Sequence, residues 1–358
     1  MRNAGSSQDP AEPSVPQPSP PQRSHRRRWL GRIAWTLLAV VLLGLVGGEL
    51  FARLYLGLGD PPLYVADPQI EYLNKPSMHY RRFGNSVTYN AYSMRSGPIT
   101  PKKTDPAQLR VLFLGDSIIN GGGLTDDSKL ATAILQKRLS EALHRDVYVG
   151  NASAGSWGPP NELAYLRRFG LFDADVLVLE LNSADYGDVP TFEPIVGIAM
   201  EYPDHRPLLA LQEGFSRYLL PRLHGAAASA PTSAPAVNPD AANAPQEHVQ
   251  QCQEAITQIV KMARDAGVKV LIYQHPEHNE LTGPEWPGHR VIQQTVRDLG
   301  IEPIQLAPVF QSAVSKGENP YRDAIHPNDL GQSLIADALF EPIREALPGV
   351  TTRPATAN

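Results

Sequence analysis

The chain is expected to fold as an α/β domain built on a parallel sheet. Two kinds of segment predict this. Val111-Leu112-Phe113-Leu114 and Val176-Leu177-Val178-Leu179 lie in short, continuous apolar runs, the pattern of strands covered on both faces. Segments with helical spacing of apolar residues fall between such runs. Regular strand-helix alternation of this kind is the mark of a parallel sheet flanked by helices.

With 358 residues, 42% of them hydrophobic, the chain can bury a full core in one large domain or two small ones. The formal net charge of -5 argues against a nucleic-acid partner. Cys252 is the single cysteine, so no disulfide can form within the chain. Its place in a helical pattern predicts a small buried hydrophobe.

Taken from the start, residues 1–28 are rich in Pro, Ser and Gln and then in Arg, and are expected to be a disordered cytoplasmic tail. An apolar segment follows at 29–56, with no charge from Ile33 to Gly48. It is close to the roughly 20 residues a spanning helix needs. Arg23, Arg26, Arg27, Arg28 and Arg32 precede it and hold that end in the cytoplasm, placing the remainder in the periplasm of a two-membrane cell. A single-pass inner-membrane anchor is therefore expected, with Glu49 and Arg53 snorkelling at the far interface. A cleaved signal peptide and a twin-arginine signal are the rival readings. Residues 57–109, with Pro61-Pro62, Pro76 and tyrosines 64, 72, 80, 89 and 92, read as a juxtamembrane subdomain of short strands whose rings pack on the main domain.

The main domain is expected over 110–348. It opens with the strand ending at Leu114, then a helix over 130–143, a strand over 146–149, a helix around 162–169 and a strand over 175–181. An Ala/Pro/Ser-rich insertion at 225–245 is expected to be disordered. Alternation then resumes with a helix over 246–266 capped by Gly267, a strand over 268–273, a helix over 287–299 capped by Gly300, a short strand at 304–306 and a last helix over 327–347. Residues 349–358 form a tail.

The chemistry-bearing residues sit at the ends of these elements. Ser117, in Gly115-Asp116-Ser117, follows directly on the first domain strand, at the carboxyl edge where open parallel sheets bind ligands. Asp323-Ala-Ile-His326 precedes the last helix, a spacing that brings a carboxylate to one imidazole nitrogen and leaves the other for a hydroxyl. A serine needs such a base to become a nucleophile. The Ser117 backbone, the Gly155 backbone and the Asn182 side chain are candidate donors to an oxyanion. Trp157, as an aromatic face, and His275, at a strand end, are candidate pocket-lining residues. The histidines 275, 278 and 289 lack the fixed spacing of a metal site, and none is expected.

The order strand-Ser, strand-Gly, strand-Asn, final Asp-x-x-His resembles the SGNH (GDSL-like) hydrolases over about residues 110–347. The four blocks of that family fall on Ser117, Gly155, Asn182 and His326, with Asp323 completing a triad. The resemblance implies a flavodoxin-like three-layer α/β/α sandwich and a serine esterase working without metal or cofactor. One departure stands out: the family's Gly-x-Asn-Asp is here Glu180-Leu181-Asn182-Ser183. From the expected compartment, the substrate is read as an acylated, above all O-acetylated, cell-envelope or exported polysaccharide, with polysaccharide-synthesis machinery as a possible partner. An O-acyltransferase using the same residues and a non-catalytic scaffold are the alternatives.

Overall fold

The computed structural model describes residues 25–223 and 244–349. Most of the tails expected at 1–28 and 349–358, and residues 225–243 of the expected insertion, lie outside the described residues; residues 25–28, expected to be disordered, are helical instead.

Residues 1–48 and 49–358 form two units. In the first, helix α1 (His25–Leu54) carries the apolar segment, and Arg28–Leu54 is long and apolar enough to cross a membrane, with a mean hydropathy of 2.1. Leucines and valines point outward all along it. Its last turns belong to the second unit. There Glu49 does not snorkel: its carboxylate accepts the Ala210 and Leu211 N–H groups at 2.8 and 3.0 Å. Arg53 pairs with Glu49 and donates to the Leu208 carbonyl at 2.6 Å.

Two antiparallel hairpins follow, β1 (Tyr64–Asp67) with β2 (Glu71–Asn74), and β3 (Met78–Arg82) with β4 (Asn85–Tyr89). The first is continuous with the main core: Tyr64 and Tyr72 are buried in the same apolar cluster as the strands of the large sheet. Tyr64, Tyr72 and Tyr92 pack on the main core as expected, whereas Tyr80 and Tyr89 form a separate cluster with Leu63 and Val87; Tyr72 also donates to the Gly155 carbonyl at 2.6 Å.

The large sheet begins with β5 (Leu109–Gly115), whose end leads through the single turn α2 (Ser117–Asn120) to α3 (Ala131–Leu143) and β6 (Val147–Ser153). Then come α4 (Pro159–Phe169) and β7 (Val176–Asn182). Short turns follow, α5 (Ala210–Glu213) and α6 (Leu220–Leu223), joined by a π-helical stretch over Gly214–Leu219. The remainder is α7 (Gln246–Asp265), β8 (Lys269–His275), α8 (Pro287–Asp298), β9 (Ile304–Gln305), α9 (Ala307–Ser315) and α10 (Asp329–Ala346). The five strands are all parallel, in the order β6-β5-β7-β8-β9. Renumbered from the first, this is 2-1-3-4-5, the flavodoxin-like order.

Period-two alternation splits each strand between two cores. Leu112, Leu114, Leu177, Leu179 and Leu181 face α4, α7 and α8. Val111, Phe113, Val176, Val178 and Tyr273 face α3, α9 and α10. Helices on both faces of the sheet give the three layers. Cys252 is buried in α7, and burial pushes its thiol pKa up, as expected of a packed hydrophobe.

Two local expectations change. α9 adds to the expected elements: it opens with Ala307-Pro308, and Pro is well tolerated in a helix's first turn. Pro327 lies outside the last helix: Asn328 is the N-cap, its side chain accepting the Gly331 N–H at 3.1 Å.

Candidate active site

Strand register brings the candidate residues to one level. Gly115 pairs with Ser153 and Leu114 with Leu179. Two residues past the first pair stand Ser117 and Gly155, and three past the second stand Ser117 and Asn182. Asn182 is itself paired with His275. Ser117 and Asn182 flank the gap between β5 and β7, the point where the strand order reverses and where such sheets bind their ligands.

The turn holding Ser117 is built by its neighbours. Asp116 accepts the Ile118 N–H at 2.7 Å and caps α2, which stabilises the turn. Gly121 closes the turn in the left-handed region (φ 72°), and a Cβ there would press on Leu130. Gly115 passes against Glu180, whose carboxyl oxygen would lie 2.8 Å from an added Cβ.

From the far end of the chain, His326 Nε2 lies 2.9 Å from Ser117 Oγ. Its Nδ1 is 2.9 Å from both carboxylate oxygens of Asp323. Asp323 also accepts the backbone N–H groups of Ile325 and His326 at 3.0 and 2.8 Å. Burial alone would raise this carboxyl, but the hydrogen bond and charge of His326, with those N–H groups, hold it down at about 2. It therefore stays ionised and fixes the imidazole with Nδ1 protonated, leaving Nε2 to accept from the serine.

The departure from the Gly-x-Asn-Asp pattern has a structural repair. Asp185 accepts the Asn182 N–H at 2.7 Å, and Asn182 Oδ1 accepts the Ala184 N–H at 2.8 Å. The amide nitrogen of Asn182 is thereby turned toward the serine loop, where it donates to Asp116 at 3.2 Å. Glu180, in the place of the glycine, is wholly buried and accepts the Asp116 N–H at 3.2 Å. Burial and the adjacent Asp116 charge push its carboxyl pKa well up.

Trp157 and His275 do not line the cleft. Trp157 is buried in the core, its Nε1 donating to the Tyr72 carbonyl at 3.1 Å. His275 is buried between Phe310 and Tyr321, with Nε2 donating to the Ile325 carbonyl at 2.9 Å. It braces the turn that carries Asp323 and His326. His289 bonds instead to Gln305 at 3.0 Å, and among the described residues no His, Cys, Asp and Glu groups converge as a metal site.

Ser117 and His326 open into a cleft of about 90 Å³. Its other walls escaped the sequence reading. They come from the hairpin (Arg82, Phe83, Tyr89), from the glycines 121–123, from Arg217 and Tyr218 in the π-helical stretch, and from Arg322. The triple glycine after Ser117 and the arginine beside Asp323 were the available signals.

The sequence profile of the GDSL-like Lipase/Acylhydrolase family matches residues 113–334, well over half of the chain. The chain belongs to this family. A GDSL-like hydrolase is an SGNH-type esterase. Solved structures similar to this hydrolase include TesA, at 20% identity and TM-score 0.42, covering 66% of this chain and 99% of that one. A two-domain esterase, CEX, active on acetylated mannans, matches at 12% identity and TM-score 0.43, over 69% of this chain and 53% of that one. A catalytic mutant of Axe2, an acetylxylan esterase from Geobacillus stearothermophilus, matches at 16% identity and TM-score 0.40, over 68% and 97%. A comparison with curated protein sequences gives no significant match.

Proposed function

We propose that this GDSL-like esterase is a membrane-anchored enzyme that removes short acyl groups, acetyl above all, from a cell-envelope or exported polysaccharide. The observation that carries the catalytic part is the relay in which Asp323 holds His326 and His326 reaches Ser117 Oγ at 2.9 Å.

Ser117 Oγ attacks the ester carbonyl while His326 Nε2 takes its proton. The Asp323 carboxylate stabilises the imidazolium that forms. The Ser117 and Gly155 N–H groups and the Asn182 amide are the oxyanion donors, each worth roughly 3 to 4 kcal/mol in the transition state. His326 then returns the proton to the leaving alcohol. Water, deprotonated by the same imidazole, releases the acid from the acyl-serine.

The cleft beside Ser117, lined in part by Gly121, Gly122 and Gly123, leaves room next to the nucleophile for a small acyl group. The arginine-flanked apolar helix supports an inner-membrane anchor with the hydrolase domain on the periplasmic side. Polymers crossing the envelope are the esters such a domain would meet.

Purified protein should hydrolyse p-nitrophenyl acetate much faster than the decanoate, and Ser117→Ala should lower kcat by about 10⁶, as loss of a triad nucleophile does elsewhere. Equal rates in the two proteins would remove the reading. Release of acetate from acetylated polysaccharides, followed by product analysis with added oligosaccharide acceptors, separates hydrolysis from acyl transfer.

A further inference from the structure

Three arginines line the cleft beside Ser117, and two of them meet no carboxylate at hydrogen-bond distance. Arg82 is fully spoken for: it is buried and meets Glu213 at 2.6 and 3.3 Å. Arg217 has only a remote share of that carboxylate, at 3.7 Å. Its other bond is to the Met200 carbonyl, and its Nε is buried with no hydrogen-bond partner. Arg322, next to the His326-Asp323 pair, donates to the Gly121 and Pro327 carbonyls at 3.2 and 2.8 Å and to the Thr125 hydroxyl, all neutral acceptors. The neighbouring Asp323 directs its oxygens to His326, so its charge reaches Arg322 without a hydrogen bond. Glu201 also lines the cleft but is exposed, where water screens it.

Holding guanidinium groups partly buried without a carboxylate is costly unless an anion completes them. Planar guanidinium forks suit carboxylate and phosphate, which can take up the donors that Arg217 and Arg322 turn to neutral acceptors or leave unpaired. We propose that the cleft selects esters whose alcohol part bears an anionic group, a carboxylate or phosphate, seated against Arg217 and Arg322 while the acyl carbonyl meets Ser117. This rests on the esterase reading above and narrows it to acidic glycans.

The test compares 4-acetoxybenzoate with its methyl ester, two acetyl esters that differ in one negative charge. Wild type should show a kcat/KM ratio of acid to neutral ester of about ten or more, shrinking as NaCl is raised. Arg217→Gln should lower that ratio about tenfold, Arg217→Lys should restore much of it, and each variant's melting temperature checks its fold. A ratio near one in wild type, or one unmoved in Arg217→Gln, overturns the inference, while hydrolysis of the neutral ester leaves the esterase reading standing. Calorimetric titration of both esters into Ser117→Ala gives a readout independent of turnover. Heat with the acid alone supports the anion site even if wild type hydrolyses neither, in which case it is the esterase reading that fails.

Discussion

The His275 imidazole is neutral at ordinary pH, and the fold depends on its staying so. Burial drives its pKa down to about 4, against a partial opposing pull from the Ile325 carbonyl. An unfolded chain takes up that proton near the usual 6.5, so between about 4 and 6.5 the unfolded state holds more protons and stability falls as pH falls. The contribution is whole above pH 6.5 and amounts to about 3 kcal/mol across the window. Melting temperatures measured from pH 7.5 to pH 4 should drop through this range, and His275→Gln should flatten that slope while lowering stability at pH 7.5. A wild-type curve without the drop would show that the ring is not sequestered. The same residue shows what sequence can and cannot give. Ser117 and Asp323-Ala-Ile-His326 were legible because their geometry is local, set by a strand end and by a turn three residues long. His275 and Trp157 were read as pocket residues because a strand end and an aromatic ring say nothing about the side a ring is buried on. Arg217 carries no local mark at all, since its place beside the cleft depends on contacts across the fold.

At the scale of elements, one glutamine ties the last helix to the serine turn. Gln332, buried in α10, donates to the Ile118 carbonyl at 2.8 Å and accepts the Ala131 N–H at 2.9 Å. It thus links α10, which follows the His326 turn, to α2 and α3. Gln332→Leu would leave a buried carbonyl and a buried N–H unpaired, each costing about 1 to 3 kcal/mol. The expected result is a lower melting temperature and a fall in kcat for p-nitrophenyl acetate greater than any change in KM. A variant that loses stability yet keeps kcat would show that α10 is not what sets the distance from His326 to Ser117. The alternation that revealed the sheet could not have disclosed this link. A single polar residue on a helical face reads as solvent-facing until the element opposite it is known.

For the molecule as a whole, strand order and the separation into two units matter most. The order β6-β5-β7-β8-β9 puts the reversal point beside Ser117, which the sequence foreshadowed only through alternation and the family resemblance. Residues 49–358 form a compact unit of their own, and the apolar stretch of α1 is exposed along its length. Full-length protein is expected to stay in the membrane pellet after an alkaline carbonate wash, while a chain starting at Glu49 should be soluble with an unchanged melting temperature. Recovery of a mature protein cut after the apolar run would replace the anchor with a signal sequence.

The serine and the imidazole that meet at 2.9 Å stand 209 positions apart in the chain. During synthesis the hydroxyl emerges long before its base, and N-terminal segments of a nascent chain can begin to fold while the rest is still being made. Until the ribosome has passed His326, the growing polypeptide holds an alcohol with nothing to deprotonate it. On the proposed relay, a product stalled before His326 is expected to be inert toward the cell's own esters, and hydrolytic capacity would arrive only with that imidazole.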